Sequence, residues 1–143
     1  DPLADRADLI AALEGVMPAL EVCDSAYEGW PKSLADAVAD NLSFGAHVLG
    51  QCGAADNLSL YDLPVALKLN GEQVGSGNTG SSMGNPLDAA LWLINQMVTA
   101  GQQLRSGDVI MTGALAGMQP VAAGDLAEVE MGALGSLSCR FSG

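Results

Sequence analysis

The stretch Pro18-Ala19-Leu20-Glu21-Val22-Cys23-Asp24-Ser25 is an apolar, strand-like run with one carboxylate set into it. Strand alternation puts Ala19, Glu21 and Cys23 on one face and Leu20 and Val22 on the other. The Leu/Val face is the natural core face, so Glu21 points to a surface or a cleft. Burying a lone acid in such a run is costly unless something positive compensates it. Glu21 is therefore either a metal ligand or a polar residue on an open sheet face. Mg²⁺ or Mn²⁺ would need several oxygen ligands, of which Glu21 supplies one.

Outward from this strand the pattern alternates between helical and extended. Residues 3–15 read as a helix, with Leu9, Ile10, Leu13 and Val16 at helical spacing and Asp5 or Asp8 as cap. Gly29-Trp30-Pro31 marks a loop, and Ser33 caps a short helix through Asn41. Residues 43–50 form a strand, and 51–62 a polar loop. Residues 63–70 and 73–77 form a hairpin about the turn Asn70-Gly71. Asn85 caps, and Pro86 opens, the strongest helix, 87–100, whose apolar face is Leu91, Leu93, Ile94, Met97 and Val98. Gly101 ends it. Residues 108–112, 120–122, 127–131 and 136–141 read as short strands. The class is α+β: a mixed, mostly antiparallel β-roll with one long helix, in one domain over residues 1–143.

Composition narrows the function. The chain has 143 residues, 49% of them apolar and 15% charged, a globular balance. Aromatic residues are only 4%, so the core is aliphatic. A net charge of −12 with five basic residues excludes a nucleic-acid track and an anionic membrane surface. No run is long enough to span a membrane, and the first residues are acidic where an export signal would be basic. The three cysteines form no CxxC pair and read as reduced thiols, which places the protein in the cytoplasm.

Three further features are candidates for chemistry. His47, the only histidine, lies on a strand; with no second cue for a Ser/His/Asp or Cys/His set, it reads as a packed or surface residue. The Gly/Ser/Thr-rich run 75–84 lacks the Gly-Lys-Ser/Thr of a phosphate loop and reads as a turn before a helix. Thr112 and Gly113 follow the apolar run Val109-Ile110-Met111, where a hydroxyl and a backbone N–H could hold an anion. From the residues alone, a routine exit from a strand is the better explanation.

Taken together, the pieces resemble a family. Pro18-Ala19-Leu20-Glu21-Val22, Ala39-Asp40-Asn41, Gly84-Asn85-Pro86-Leu87, Gly107-Asp108-Val109-Ile110-Met111-Thr112-Gly113-Ala114-Leu115, Gly124-Asp125 and Leu134-Gly135-Ser136-Leu137 follow in the order of the C-terminal half of the 2-keto-4-pentenoate (2-hydroxypenta-2,4-dienoate) hydratases, in the fumarylacetoacetate hydrolase superfamily. The resemblance implies a β-roll holding Mg²⁺ or Mn²⁺ on three carboxylates, two from a Glu-x-Glu motif and one at the position of Glu21. It implies that Thr112 and Gly113 contact the substrate, with Asp40 and Asn41 near the same pocket. The related 4-oxalocrotonate decarboxylases are the alternative; Trp92 and Met118 look more like the hydratase.

The departures matter as much. Glu128-Val129-Glu130 lies too near the C-terminus to be the Glu-x-Glu pair, and the Lys and Asp usually assigned to the N-terminal half have no counterpart, so no catalytic residue is assigned. Asp24-Ser25 is followed by Ala26 where the family often has Arg. The expectation is a half of a metal-dependent hydratase acting on a small 2-oxo or 2-hydroxy dienoate acid in aromatic catabolism. It would work as a homo-oligomer, with the N-terminal half supplied by another stretch or chain. The competing expectation is a non-catalytic binding or assembly module with an incomplete site.

Overall fold

The structure, a computed structural model, describes residues 5–55 and 59–142. The start of the first expected helix (residues 3 and 4) and part of the 51–62 loop (56–58) lie outside the described residues. The elements are α1 (Arg6–Ala12), β1 (Ala19–Cys23), α2 (Leu34–Ala39), β2 (Phe44–Leu49), β3 (Pro64–Leu69), β4 (Glu72–Asn78), α3 (Pro86–Thr99), β5 (Leu126–Glu130) and β6 (Ser136–Arg140). Strands β1 and β2 form a two-stranded ribbon, and the others a four-stranded sheet in the order β4-β3-β5-β6. Every ladder is antiparallel. The α+β class is thus the fold of the chain.

Capping chemistry sets the helix ends. Asp5 accepts from the Ala7 and Asp8 amides at α1, Ser33 from Asp36 at α2 and Asn85 from Leu87 at α3. These bonds satisfy amides that the first turn leaves open. At the far end of α3, Gly101 at φ 75° donates to the Val98 carbonyl and Gln102 to that of Met97. That is the left-handed glycine stop of a Schellman motif. Helix α2 is shorter than expected: it ends at Ala39. Beyond it Asn41, Leu42 and Ser43 run left-handed, at φ 51°, 55° and 59°.

The hairpin forms at Asn70-Gly71, both at positive φ, which gives the strands their matching twist. Asn70 also fastens the hairpin to β5: its side chain donates to Asp125 and accepts from the Leu126 amide. Leu9, Leu60, Leu87 and Ala90 form one buried cluster between α1 and α3. Val65, Val129 and Met131 form a second on the sheet, and Leu20 of β1 packs on it. Leu134 touches both clusters and joins them.

Two expected strands do not form. Residues 108–112 and 120–122 have no ladder partner among the described residues. Each run abuts a turn that an aspartate closes. Arg105 donates to the Asp108 carboxylate while Asp108 donates back to the Arg105 carbonyl. Ala122 and Asp125 repeat the arrangement. Ile110 then packs on the α1–α3 cluster instead of entering a sheet. An apolar run can bury its side chains against helices as well as in a ladder.

Candidate active site

A broad cavity of about 1320 Å³ opens between the ribbon, the sheet and the helices. Glu21, Thr112 and Gly113 all line it, so residues far apart in sequence reach one space.

Glu21 sits mid-strand in β1, opposite His47 of β2, and is exposed. Its neighbour Leu20 is the one that packs on the sheet core, as alternation requires. The carboxylate thus faces open space and stays available to a partner. On the same strand face Cys23 has its thiol pKa raised, by burial first and by the Glu21 charge second.

Thr112 and Gly113 hang in a loop rather than at the end of a strand. The buried Ser82 hydroxyl donates to the Thr112 carbonyl and ties the loop to the turn before α3. On its other side the loop lies so close to β4 that a Cβ at Gly77 would overlap the Leu115 carbonyl. Glycine at that position is what allows the approach. Gly113 itself is exposed, at φ 105°.

Asp40 and Asn41 are placed differently. Neither lines the cavity. Asp40 Oδ2 accepts from Ser25 Oγ and Ser43 Oγ, both at 2.7 Å, and Oδ1 accepts from the Ala26 amide at 2.9 Å. These bonds, that from Ser43 first, hold its carboxyl pKa below the usual range. Its oxygens are engaged by the protein. Asn41 is exposed in the left-handed turn that follows.

His47 is exposed, with its ring tilted against Phe44 at 5.8 Å between centroids. Glu130 forms an ion pair with Lys68 at 2.6 Å, and Lys68 reaches the cavity wall. Among the described residues no group of three or more His, Cys, Asp or Glu could hold a metal ion. The glycine-rich run, read as a turn, ends β4 and forms the short Thr79–Ser81 helix, with Thr79 bonded through backbone and hydroxyl to Leu63.

Trp30, which the sequence reading leaves as an ordinary loop residue, also lines the cavity. The signal for it was an aromatic residue set between the turn-formers Gly29 and Pro31, where nothing in the local pattern asks for one.

Comparison with known proteins follows the same lines. Residues 4–142 match the family model described as fumarylacetoacetate (FAA) hydrolase, C-terminal. The chain is 42% identical over 139 residues to 2-keto-4-pentenoate hydratase 1 of Dechloromonas aromatica (strain RCB), covering 95% of this chain and 52% of that protein. It is 35% identical over 142 residues to 2-hydroxyhexa-2,4-dienoate hydratase of Comamonas testosteroni, covering 99% and 54%. Its fold matches that of 4-oxalocrotonate decarboxylase from Pseudomonas putida G7, solved in complex with magnesium and adipate. The TM-score is 0.88 and the identity 35%, over 99% of this chain and 54% of that one. The chain spans about half the length of the curated relatives it matches.

Proposed function

We propose, because the chain belongs to the fumarylacetoacetate hydrolase C-terminal family, that it forms part of a hydro-lyase that adds water to 2-hydroxypenta-2,4-dienoate. The observation that carries the reading is that Glu21, Thr112 and Gly113 line one cavity in a chain so similar to a 2-keto-4-pentenoate hydratase. The likeness to a decarboxylase is lower in identity, 35% against 42%, and supports the shared fold and a shared class of small 2-oxo acid.

In this reading the Thr112 hydroxyl and the Gly113 amide donate to the substrate's carboxylate. Protonation at C5 with loss of the 2-hydroxyl proton turns the dienol into an enone. The oxygen of water then bonds to C4, and a proton goes to C3, giving 4-hydroxy-2-oxopentanoate. The residues that fix the anionic end orient C4 toward the incoming water. None of the site residues named above is assigned the proton transfers.

Glu21 shares the cavity lining with Glu14 and Asp108, but among the described residues no three such side chains gather to hold a divalent cation. A single carboxylate does not make a Mg²⁺ or Mn²⁺ site, since such ions take several oxygens. The described residues by themselves therefore do not fit the metal, and the remaining donors belong to polypeptide beyond them. The same reasoning favours assembly with that polypeptide, in a homo-oligomer or with a separate chain, while the free thiols of Cys23, Cys52 and Cys139 favour a cytoplasmic setting.

The test is Glu21→Gln in the protein that carries this chain together with the rest of its relatives' length. Loss of diene absorbance at 2-hydroxypenta-2,4-dienoate, with Mg²⁺ supplied, reads turnover. The substitution should cost more than the roughly 10–100-fold typical of a ligand's outer partners. Full activity and unchanged metal affinity in Glu21→Gln would refute the assignment.

A further inference from the structure

We propose that Trp30 reads the apolar tail of the substrate and that Asp40 is the positioning residue that holds it there; the inference deepens the hydratase reading above and rests on it. Trp30 is 44% exposed, so it is not core, yet it lines the cavity that holds Glu21 and Thr112. Its backbone is left-handed, at φ 71°, directly after Gly29 at φ 74°. A bulky residue rarely adopts that conformation unless its surroundings impose it. Folding alone gives no reason to hold a half-exposed indole in this way. A wall for a planar, unsaturated ligand gives one.

The imposing structure is the Asp40 clamp. One carboxylate accepts from Ser25 and Ala26, where the loop leaves β1, and from Ser43, where the chain enters β2. Ser25 Oγ in turn accepts from the Tyr27 amide at 3.0 Å. Ser33 caps α2 and fixes the other end of the loop. Trp30 therefore sits between two anchored points. The clamp also closes on the left-handed run Asn41–Ser43, three consecutive residues with a Cβ in a conformation that favours glycine. Asp40 touches neither cavity nor ligand. It acts through the loop.

Of the substrate's two ends, the carboxylate is served by Thr112 and Gly113. The indole is left for C4, C5 and whatever C5 carries. Trp30 then decides between a five-carbon and a six-carbon dienoate, which differ by one methyl group.

The experiment uses the full-length enzyme and two substrates, 2-hydroxypenta-2,4-dienoate and 2-hydroxyhexa-2,4-dienoate. Trp30→Leu should shift the ratio of their kcat/KM values by about tenfold in favour of the longer acid, the low end of what one methylene decides in an apolar pocket. The change should lie in KM. Asp40→Asn should shift the ratio the same way. Ser25→Ala, a milder variant that removes one bond to the clamp, should shift it less, and Ser25→Thr should restore it. Acrylamide quenching in a Trp92→Phe background, taken as the difference from Trp30→Phe, should show Trp30 about twice as accessible in Asp40→Asn. A general loss of structure would lower both substrates alike and leave the ratio still.

An unchanged ratio in Trp30→Leu overturns the specificity role. Unchanged quenching and ratio in both Asp40→Asn and Ser25→Ala overturn the positioning role. A wild-type enzyme inert on both dienoates overturns the hydratase reading and the specificity role with it, while the quenching arm still decides whether Asp40 holds Trp30.

Discussion

Asp40 spends its charge on three local donors, and that makes its protonation a matter of stability. Its folded pKa is depressed by the bonds from Ser43, Ser25 and Ala26, in that order. Asp88, bonded to Arg6, and Asp125, bonded to Asn70, are shifted the same way. Between the folded value and the ordinary carboxylate value of about 3.9, the unfolded chain binds the extra proton, so stability rises with pH through that window. The contribution is complete above the ordinary value and is lost as pH falls through the folded one. Urea midpoints should accordingly decline below about pH 4, and Asp40→Asn should flatten part of that decline; an identical acid limb in the variant would contradict it. From sequence, Ala39-Asp40-Asn41 marks an acid near a pocket. Which donors claim the carboxylate depends on Ser25 lying beside it, fifteen residues away in the chain, and no spacing rule carries that. Glu21 was more legible, because alternation in β1 alone turns it away from Leu20 and the core.

At the scale of elements, α3 and the loop beside β4 can be tested separately. Asn85 is buried and accepts from the Leu87 amide, so Asn85→Ala leaves an orphan donor at the start of α3. The expected loss is about 1–2 kcal/mol, read from the thermal or urea midpoint. Gly77→Ala is a different case. Its Cβ would overlap the Leu115 carbonyl, a backbone atom, so the loop carrying Thr112 and Gly113 must move. Overpacking of this kind costs about 1–3 kcal/mol, and it should weaken binding of a carboxylate ligand beyond what Asn85→Ala does at equal stability. Equal affinities in the two variants would show that β4 does not position the loop. The helix and the hairpin were legible because their ends carry their own chemistry: Asn85, Pro86 and Gly101 for the one, Asn70 and Gly71 for the other. Residues 108–112 and 120–122 were not. An apolar run of that length satisfies a strand and a cavity wall alike, and the aspartates three residues from Arg105 and Ala122 decided it by closing turns. The left-handed Asn41–Ser43 run carries little sequence signal, since only Asn41 is of a type that favours that region and none of its residues is glycine.

At the scale of the molecule, charge and metal binding are linked. A net charge of −12 over 143 residues repels itself, and salt screens that repulsion over roughly 8 Å at physiological ionic strength. The melting temperature should rise from low salt to 0.15 M NaCl; a fall would place the stabilising weight on the Arg6–Asp88 and Lys68–Glu130 pairs instead. The same excess of acid offers Mg²⁺ a diffuse attraction without a site. Among the described residues the two buried clusters share Leu134, and the cavity lined by Glu21, Glu14 and Asp108 gathers no group of three that could hold a metal. Diffuse attraction and a single ligand both give weak, salt-sensitive binding. Calorimetry of Mg²⁺ into the 143-residue chain should thus show no stoichiometric event, with any affinity no tighter than the roughly 1 mM of weak oxygen sites, and Glu21→Gln should leave the trace unchanged. The longer protein should bind Mg²⁺ stoichiometrically and lose that binding with Glu21→Gln. A tight, one-to-one isotherm from the short chain, abolished by the same substitution, would mean that these residues gather a full donor set around Glu21, and the division of the metal site between this chain and further polypeptide would fall.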